Sequence, residues 1–203
     1  MTRAVILDLG NVIVGLDFPR AYRAAARLSH HNAGEIPELI RAANLARPYE
    51  RGELSSREFY QRFCLALDLA LSYPEFVDLW SDMFQPEPIL SDALLRELAA
   101  ATRLLLLSNT NEIHFEFIRA KYPLVQHFHD FVLSYRVGAM KPDPAIYLDA
   151  VRRAGCEAGE CFFVDDIEEN VEAARRLGID AEVFRSASQL ESQLHVRGVL
   201  PDR

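Results

Sequence analysis

Ala4-Val5-Ile6-Leu7-Asp8-Leu9-Gly10-Asn11-Val12 is the stretch from which the fold can be read. Four apolar residues follow one another with no polar residue between them, the pattern of a strand buried on both faces, as in a parallel sheet. The run stops at an aspartate, with a glycine two positions later. Asp8 therefore falls at the carboxyl end of the strand, where open α/β sheets keep their ligands. An aspartate at this point can equally cap the turn or helix that follows, so Asp8 alone decides nothing about function.

The same pattern recurs along the chain. Arg103-Leu104-Leu105-Leu106-Leu107 runs into Ser108-Asn109-Thr110-Asn111, and Phe131-Val132-Leu133-Ser134 is a shorter copy. Cys161-Phe162-Phe163-Val164 runs into Asp165-Asp166, and Ala181-Glu182-Val183-Phe184 is a weaker fifth strand. Helical periodicity fills the intervals: Ile89 to Ala101, a segment through Phe115, Phe117 and Ile118, Ala145 to Ala154, and Glu168 to Leu177 stopped by Gly178. Alternating strands and helices predict a doubly wound parallel α/β sheet. Between Asp17 and Gln85 no convincing strand occurs. Apolar faces at helical spacing (Phe18, Tyr22, Ala25; Ile36, Leu39, Ile40; Phe76, Leu79, Trp80) and a Ser55/Glu58 capping box predict an inserted all-helical cap. Tyr73-Pro74 reads as a break in that pattern, and Pro86 and Pro88 mark the return. The expected division is a core of residues 1–16 and 86–203 with a cap of residues 17–85. The tail from Ser186 is expected to form a short helix and then fray.

Composition narrows the function. The chain has 203 residues, half of them hydrophobic, enough for a packed core and a subdomain. A net charge of -8 argues against a nucleic-acid partner, which needs a basic face. No segment is long and apolar enough to span a membrane, and the N-terminal apolar run is too short for a secretory signal. The three cysteines, Cys64, Cys156 and Cys161, lack metal-ligand or redox spacing and read as reduced thiols of a cytoplasmic protein. Monomer and homodimer both remain open.

Three strand ends bring Asp8, Ser108 with Asn109, and Asp165 with Asp166 to one edge of the sheet, and Lys141 comes from a loop between the last two. Each has an ordinary reading: helix cap, solvated loop lysine, or carboxylates serving a helix N-terminus. Together they fit one reaction. Two or three carboxylates suit a hard cation such as Mg²⁺, a hydroxyl, amides and a lysine suit phosphoryl oxygens, and one carboxylate remains as a nucleophile.

These residues resemble the haloacid dehalogenase-like hydrolase superfamily over nearly the whole chain. Asp8-Leu9-Gly10-Asn11-Val12, Leu107-Ser108-Asn109, Lys141-Pro142 and Val164-Asp165-Asp166 are similar to its four motifs, in order and in approximate spacing. Within it, the first motif, Glu50-Arg51-Gly52-Glu53 and Ser108-Asn109-Thr110-Asn111 most resemble bacterial sugar-1-phosphate phosphatases acting on substrates such as glucose-1-phosphate. The resemblance implies a Mg²⁺-dependent phosphatase of a small phosphorylated metabolite. Asp8 would form an aspartyl phosphate, and Lys141 would bridge Asp8 and phosphate. Ser108 and Asn109 would hold phosphate oxygens. The metal would sit on Asp8, the Gly10 carbonyl and Asp166, with Asp165 as a ligand or water-mediated partner.

One position departs from the family pattern. Many relatives carry a second aspartate two residues after the nucleophile to protonate the leaving group, and here that position is Gly10. Asp17 is a candidate substitute, although it also reads as a turn residue before Pro19. A sugar-1-phosphate, whose anomeric oxygen leaves readily, would need less help, and a slow or inactive relative is the remaining explanation. In the cap, Tyr49, Glu50 and Arg51 are candidate contacts, Arg51 reaching a phosphate or sugar hydroxyl, while Trp80 reads as cap core. Two alternatives stand beside the phosphatase: a metal-free haloacid dehalogenase using Asp8 on carbon, and a non-catalytic phosphate- and metal-binding relative.

Overall fold

The computed structural model describes residues 1–201. Five strands form one parallel sheet: β1 (Ala4–Leu7), β4 (Arg103–Ser108), β5 (Asp130–Leu133), β6 (Cys161–Asp165) and β7 (Asp180–Val183), in the order β5-β4-β1-β6-β7. β1 is central, with Ala4 paired to both Arg103 and Cys161. The continuous apolar runs are explained by burial on both faces. Val5, Leu7, Leu104, Leu106, Phe162 and Val164 belong to one core cluster, and Ile6, Leu105, Leu107 and Phe163 belong to the other. The first is covered by α6 (Asp92–Ala101), α7 (Glu112–Lys121) and α11 (Ala187–Val196), the second by α9 (Pro144–Ala154) and α10 (Glu168–Arg176). This is the expected α/β core with an inserted helical cap.

The cap contains α1 (Phe18–Leu28), α2 (Ile36–Ala43), α3 (Ala46–Glu50), α4 (Ser56–Ala66) and α5 (Tyr73–Ser81) around a third cluster rich in aromatic rings. Phe59 is its hub, stacked on Tyr49 at 4.2 Å and edge-on to Trp80 at 4.9 Å between ring centroids. The Ser55/Glu58 capping box starts α4 as expected. Tyr73-Pro74 is a start rather than a break: Ser72 and Glu75 form a second capping box, and proline is tolerated in the first helical turn because its missing N–H has no intrahelical partner there.

Two further expectations are corrected. A two-stranded antiparallel ribbon, β2 (Val14–Leu16) with β3 (Phe84–Pro88), joins cap to core, so a strand begins before Gln85. Pro86 and Pro88 disguise β3, yet an edge strand tolerates prolines whose N–H would face away from its partner. The C-terminal segment does not fray directly after its helix, and the last residues of the expected frayed tail, 202–203, lie outside the described residues. Leu200 is buried beside Leu190 and Leu194, so the chain stays on the core through Leu200. Among the described residues no helix is long and apolar enough to cross a membrane. A final four-residue helix, α8 (Ser134–Val137), follows β5.

Candidate active site

The site lies at the carboxyl ends of β4, β1 and β6, where the strands stop and their last residues turn polar. Lys141 is its centre. Its ammonium donates to Asp8 Oδ1 at 2.7 Å, to Asp165 Oδ2 at 2.6 Å and to the Leu107 carbonyl at 3.1 Å, so all three protons are used. The three charged groups are buried: Asp8 is 7% exposed, Lys141 4% and Asp165 0%. Burial is the largest influence on Asp8 and raises its carboxyl to about 7. Lys141 pulls against that shift, while the Asp165 charge adds to it. Burial alone would lower Lys141, but Asp8 and Asp165 outweigh it and hold the ammonium above its ordinary value.

Neighbouring residues fix this arrangement. The Asn109 side chain clasps the Lys141 backbone at both ends, accepting from its N–H at 2.7 Å and donating to its carbonyl at 2.9 Å. Asp165 Oδ1 accepts from Ile167 N at 2.8 Å and from the Asn170 amide at 3.0 Å. Tyr147 in turn donates to the Asn170 carbonyl at 2.9 Å. Asn11, in the left-handed region at φ 54°, donates to Asp166 Oδ2 at 3.0 Å and accepts from Leu16 N at 3.1 Å. Asparagine adopts that conformation more readily than most residues. The first motif is thereby tied to the acidic loop that follows β6.

Oxygen atoms of Asp8, Asp165 and Asp166 lie within 4.8 Å of one another. Three carboxylates at this spacing are a donor set for a hard divalent cation. Asp165 is largely spent on Lys141, Ile167 and Asn170, whereas Asp166, half-buried, has among the described residues the Asn11 contact alone. Asp166 is therefore the freer of the two carboxylates.

Beside this edge a cavity of about 260 Å³ opens between core and cap. Leu9, Gly10, Ser108 and Asn109 form its core wall, and apolar residues such as Ile36, Phe63 and Trp80 form much of its cap wall. Of the cap residues expected at the site, Glu50 lines the cavity and Arg51 does not. Arg51 is exposed, 3.9 Å from Glu53. Asp17 also lies outside the lining, and its carboxylate caps α1 by accepting from Arg20 N at 2.9 Å. Trp80 belongs to the cap core and to the cavity wall at once.

His114 is a site residue that sequence reasoning missed. Its Nε2 donates to the Trp80 carbonyl at 2.9 Å, and its Nδ1 accepts from the Asn111 amide at 3.1 Å. Burial lowers it to about 4, so it is a neutral strut between cap and core. Its only trace in the sequence is the spacing from Asn111, the α7 N-cap that accepts from His114 N.

The segment 49–56 is docked on the core rim. Tyr49 accepts from Ile113 N at 3.2 Å, Ser56 bonds Glu112, and a Cβ on Gly52 (φ +73°) would meet the Tyr135 carbonyl oxygen at 2.2 Å. Gly52→Ala is expected to lower stability by more than about 1 kcal/mol, combining an unfavourable backbone region with a backbone clash. Thermal denaturation beside Gly138→Ala, a positive-φ glycine whose Cβ would meet nothing within 4 Å, separates the clash from the conformational cost.

Comparison with known proteins agrees with this fold. A family model described as haloacid dehalogenase-like hydrolase matches residues 2–178. The chain is 26% identical over 186 residues to a D-ribitol-5-phosphate phosphatase of Bacteroides thetaiotaomicron, covering 89% of this chain and 90% of that protein. A crystal structure of a haloacid dehalogenase family enzyme from the same organism, in complex with magnesium and inorganic phosphate, superposes with TM-score 0.84 at 25% identity, covering 92% of this chain and 96% of that one. An L-2-haloacid dehalogenase from Xanthobacter autotrophicus shares the fold at TM-score 0.64 and 17% identity, covering 99% of this chain and 85% of that one. With four motifs gathered at one sheet edge and a family match over most of its length, this chain belongs to the haloacid dehalogenase-like hydrolases.

Proposed function

We propose that the chain is a Mg²⁺-dependent phosphatase of small phosphorylated metabolites, with a sugar or sugar-alcohol monophosphate such as glucose-1-phosphate as substrate, working through an aspartyl phosphate on Asp8. The observation that carries this reading is the pairing of Asp8 with a buried lysine inside a three-carboxylate cluster. A haloacid dehalogenase, displacing halide from carbon without a metal, gives the acidic pair Asp165-Asp166 no purpose as cation donors. The likeness to a ribitol-5-phosphate phosphatase and to a structure holding magnesium and phosphate supports the same chemistry. Residues 17–85 act as the cap in this reading and residues 1–16 with 86–203 as the core, the β2–β3 ribbon being the joint.

Asp8 attacks phosphorus in line. Lys141 fixes the attacking carboxylate and screens its charge as the phosphate approaches. Ser108 and the amide groups of Asn109 hold phosphate oxygens, while the Asn109 side chain keeps Lys141 in place. Asp8, Asp166 and the Gly10 carbonyl would hold the cation, with Asp165 beside them. Bound there, Mg²⁺ supplies charge neutralisation between two anions that otherwise repel. Asp17 and Arg51 receive no role in this scheme, because their side chains are engaged away from the cavity.

Phosphate release from paired sugar-1-phosphates, sugar-6-phosphates and sugar-alcohol phosphates, with Mg²⁺ and with excess chelator, tests the reading. Release is expected with the metal, with loss of nearly all of it in chelator. Full activity in chelator, or no release from any phosphate ester, would overturn it.

A further inference from the structure

Proton transfer to the leaving group has no obvious owner in this site. Position 10 is glycine, and a Cβ there would already lie 3.0 Å from Leu16 Cδ1. A side chain at this position would press on the tip of Leu16. A proton donor must come from elsewhere on the cavity wall. Among the described residues, Glu50 is the single carboxyl that lines this cavity. His114 lines it too, but both of its ring nitrogens are committed to Trp80 and Asn111. Glu50 ends α3, next to Tyr49, which accepts from Ile113 N on the core rim, and two residues before Gly52, whose backbone runs close to the Tyr135 carbonyl. Glu50 thus shares one cavity lining with Gly10, Ser108 and Asn109.

We propose that Glu50, reaching over from the cap, is the general acid and base that the core lacks at Gly10. The assignment rests on the phosphatase reading above. In the first step the Asp8 oxygen bonds to phosphorus and the phosphorus–ester oxygen bond breaks. The electron pair goes to the departing oxygen, which takes the Glu50 proton. In the second step the Glu50 carboxylate removes a proton from water as the water oxygen bonds to phosphorus. The bond from phosphorus to Asp8 breaks, and the Asp8 carboxylate is restored with release of inorganic phosphate. The environment suits both roles. Burial raises the Glu50 carboxyl to about 7, with Arg47 opposing, so both protonation states are accessible near neutrality. Carrying the acid on the cap also links chemistry to closure, because the donor is in place only when the cap is docked.

The test compares leaving groups in Glu50→Gln and the parent protein, both with Mg²⁺. An alkyl phosphate needs a proton on its departing oxygen, whereas 4-nitrophenyl phosphate expels a stabilised phenolate. Glu50→Gln is expected to reduce kcat/KM for the alkyl ester by about 10²–10⁴-fold and to lower it far less for the aryl ester. Equal losses on both esters would mark Glu50 as structural and overturn the proposal, as would no loss on either. Thermal denaturation of the variant excludes misfolding as the cause. A parent protein inactive on both esters would instead strike the phosphatase reading itself, so the two failures are distinguishable.

Discussion

Asp8→Asn is expected to reduce phosphate release by on the order of 10⁴-fold or more while leaving a cooperatively folded protein. The two halves of this expectation rest on different features. Turnover needs an anionic oxygen to attack phosphorus, and an amide oxygen cannot form the acyl phosphate. Folding needs the position filled without stranding a charge, and asparagine does this. The backbone bond from Asp8 N to the Val164 carbonyl, 2.9 Å, is untouched. Lys141 keeps Asp165 at 2.6 Å and the Leu107 carbonyl at 3.1 Å. The substitution also removes a buried carboxylate that burial and Asp165 both disfavour in its charged form. Stability should therefore change by no more than about 1 kcal/mol in either direction, far less than a stranded buried charge would cost. Full activity in the variant would remove Asp8 from the chemistry. A variant that fails to fold would mean that the carboxylate holds the strand ends together.

The core was legible in the sequence because its strands are buried on both faces. Val5-Ile6-Leu7 and Leu104-Leu105-Leu106-Leu107 have no polar alternation to misread, and each ends at a polar residue that the site uses. The ribbon was illegible for the opposite reason. β2 is three residues containing Gly15, and β3 carries Pro86 and Pro88, so neither has a strand-like composition; pairing between distant segments forms it. The candidate site divides in the same way. Asp8, Ser108, Asn109, Asp165 and Asp166 sit at ends of elements that periodicity locates, and Lys141 in the turn that leads into α9. Glu50 and Arg51 are adjacent in one short helical turn, and which of them meets the cavity depends on how that turn docks on Ile113 and Tyr135. Spacing could not choose between them. Asp17 illustrates the ordinary outcome for an aspartate before a helix, since it became the N-cap of α1.

Lys141→Met should be the most disruptive single change in the site, reducing both activity and stability. Lys141 is 4% exposed and is the single cation among the side chains that bond Asp8 or Asp165. Removing it leaves two buried carboxylates facing each other, and breaking a buried pair from one side costs roughly 3–5 kcal/mol. Methionine matches the volume of the stem, so the loss reports charge rather than a cavity. Activity should fall by on the order of 10²-fold or more, because Asp8 loses the group that orients it and screens the incoming phosphate. Lys141→Arg is not expected to rescue either property. The pocket offers three acceptors around one compact ammonium, and a planar guanidinium cannot place its donors on all of them. Charge frustration makes a further, sharper demand. Adding Asp8→Asn to Lys141→Met removes one of the two opposed carboxylates, so the double variant should be more stable than Lys141→Met alone, although as inactive as Asp8→Asn. Urea denaturation of the parent, both single variants and the double variant measures this coupling, which for contacting residues is about 0.5–3 kcal/mol. If Lys141→Met proved as stable as the parent, or if Asp8→Asn failed to relieve it, the lysine would not be the electrostatic keystone that its distances indicate. Its role would then reduce to binding phosphate.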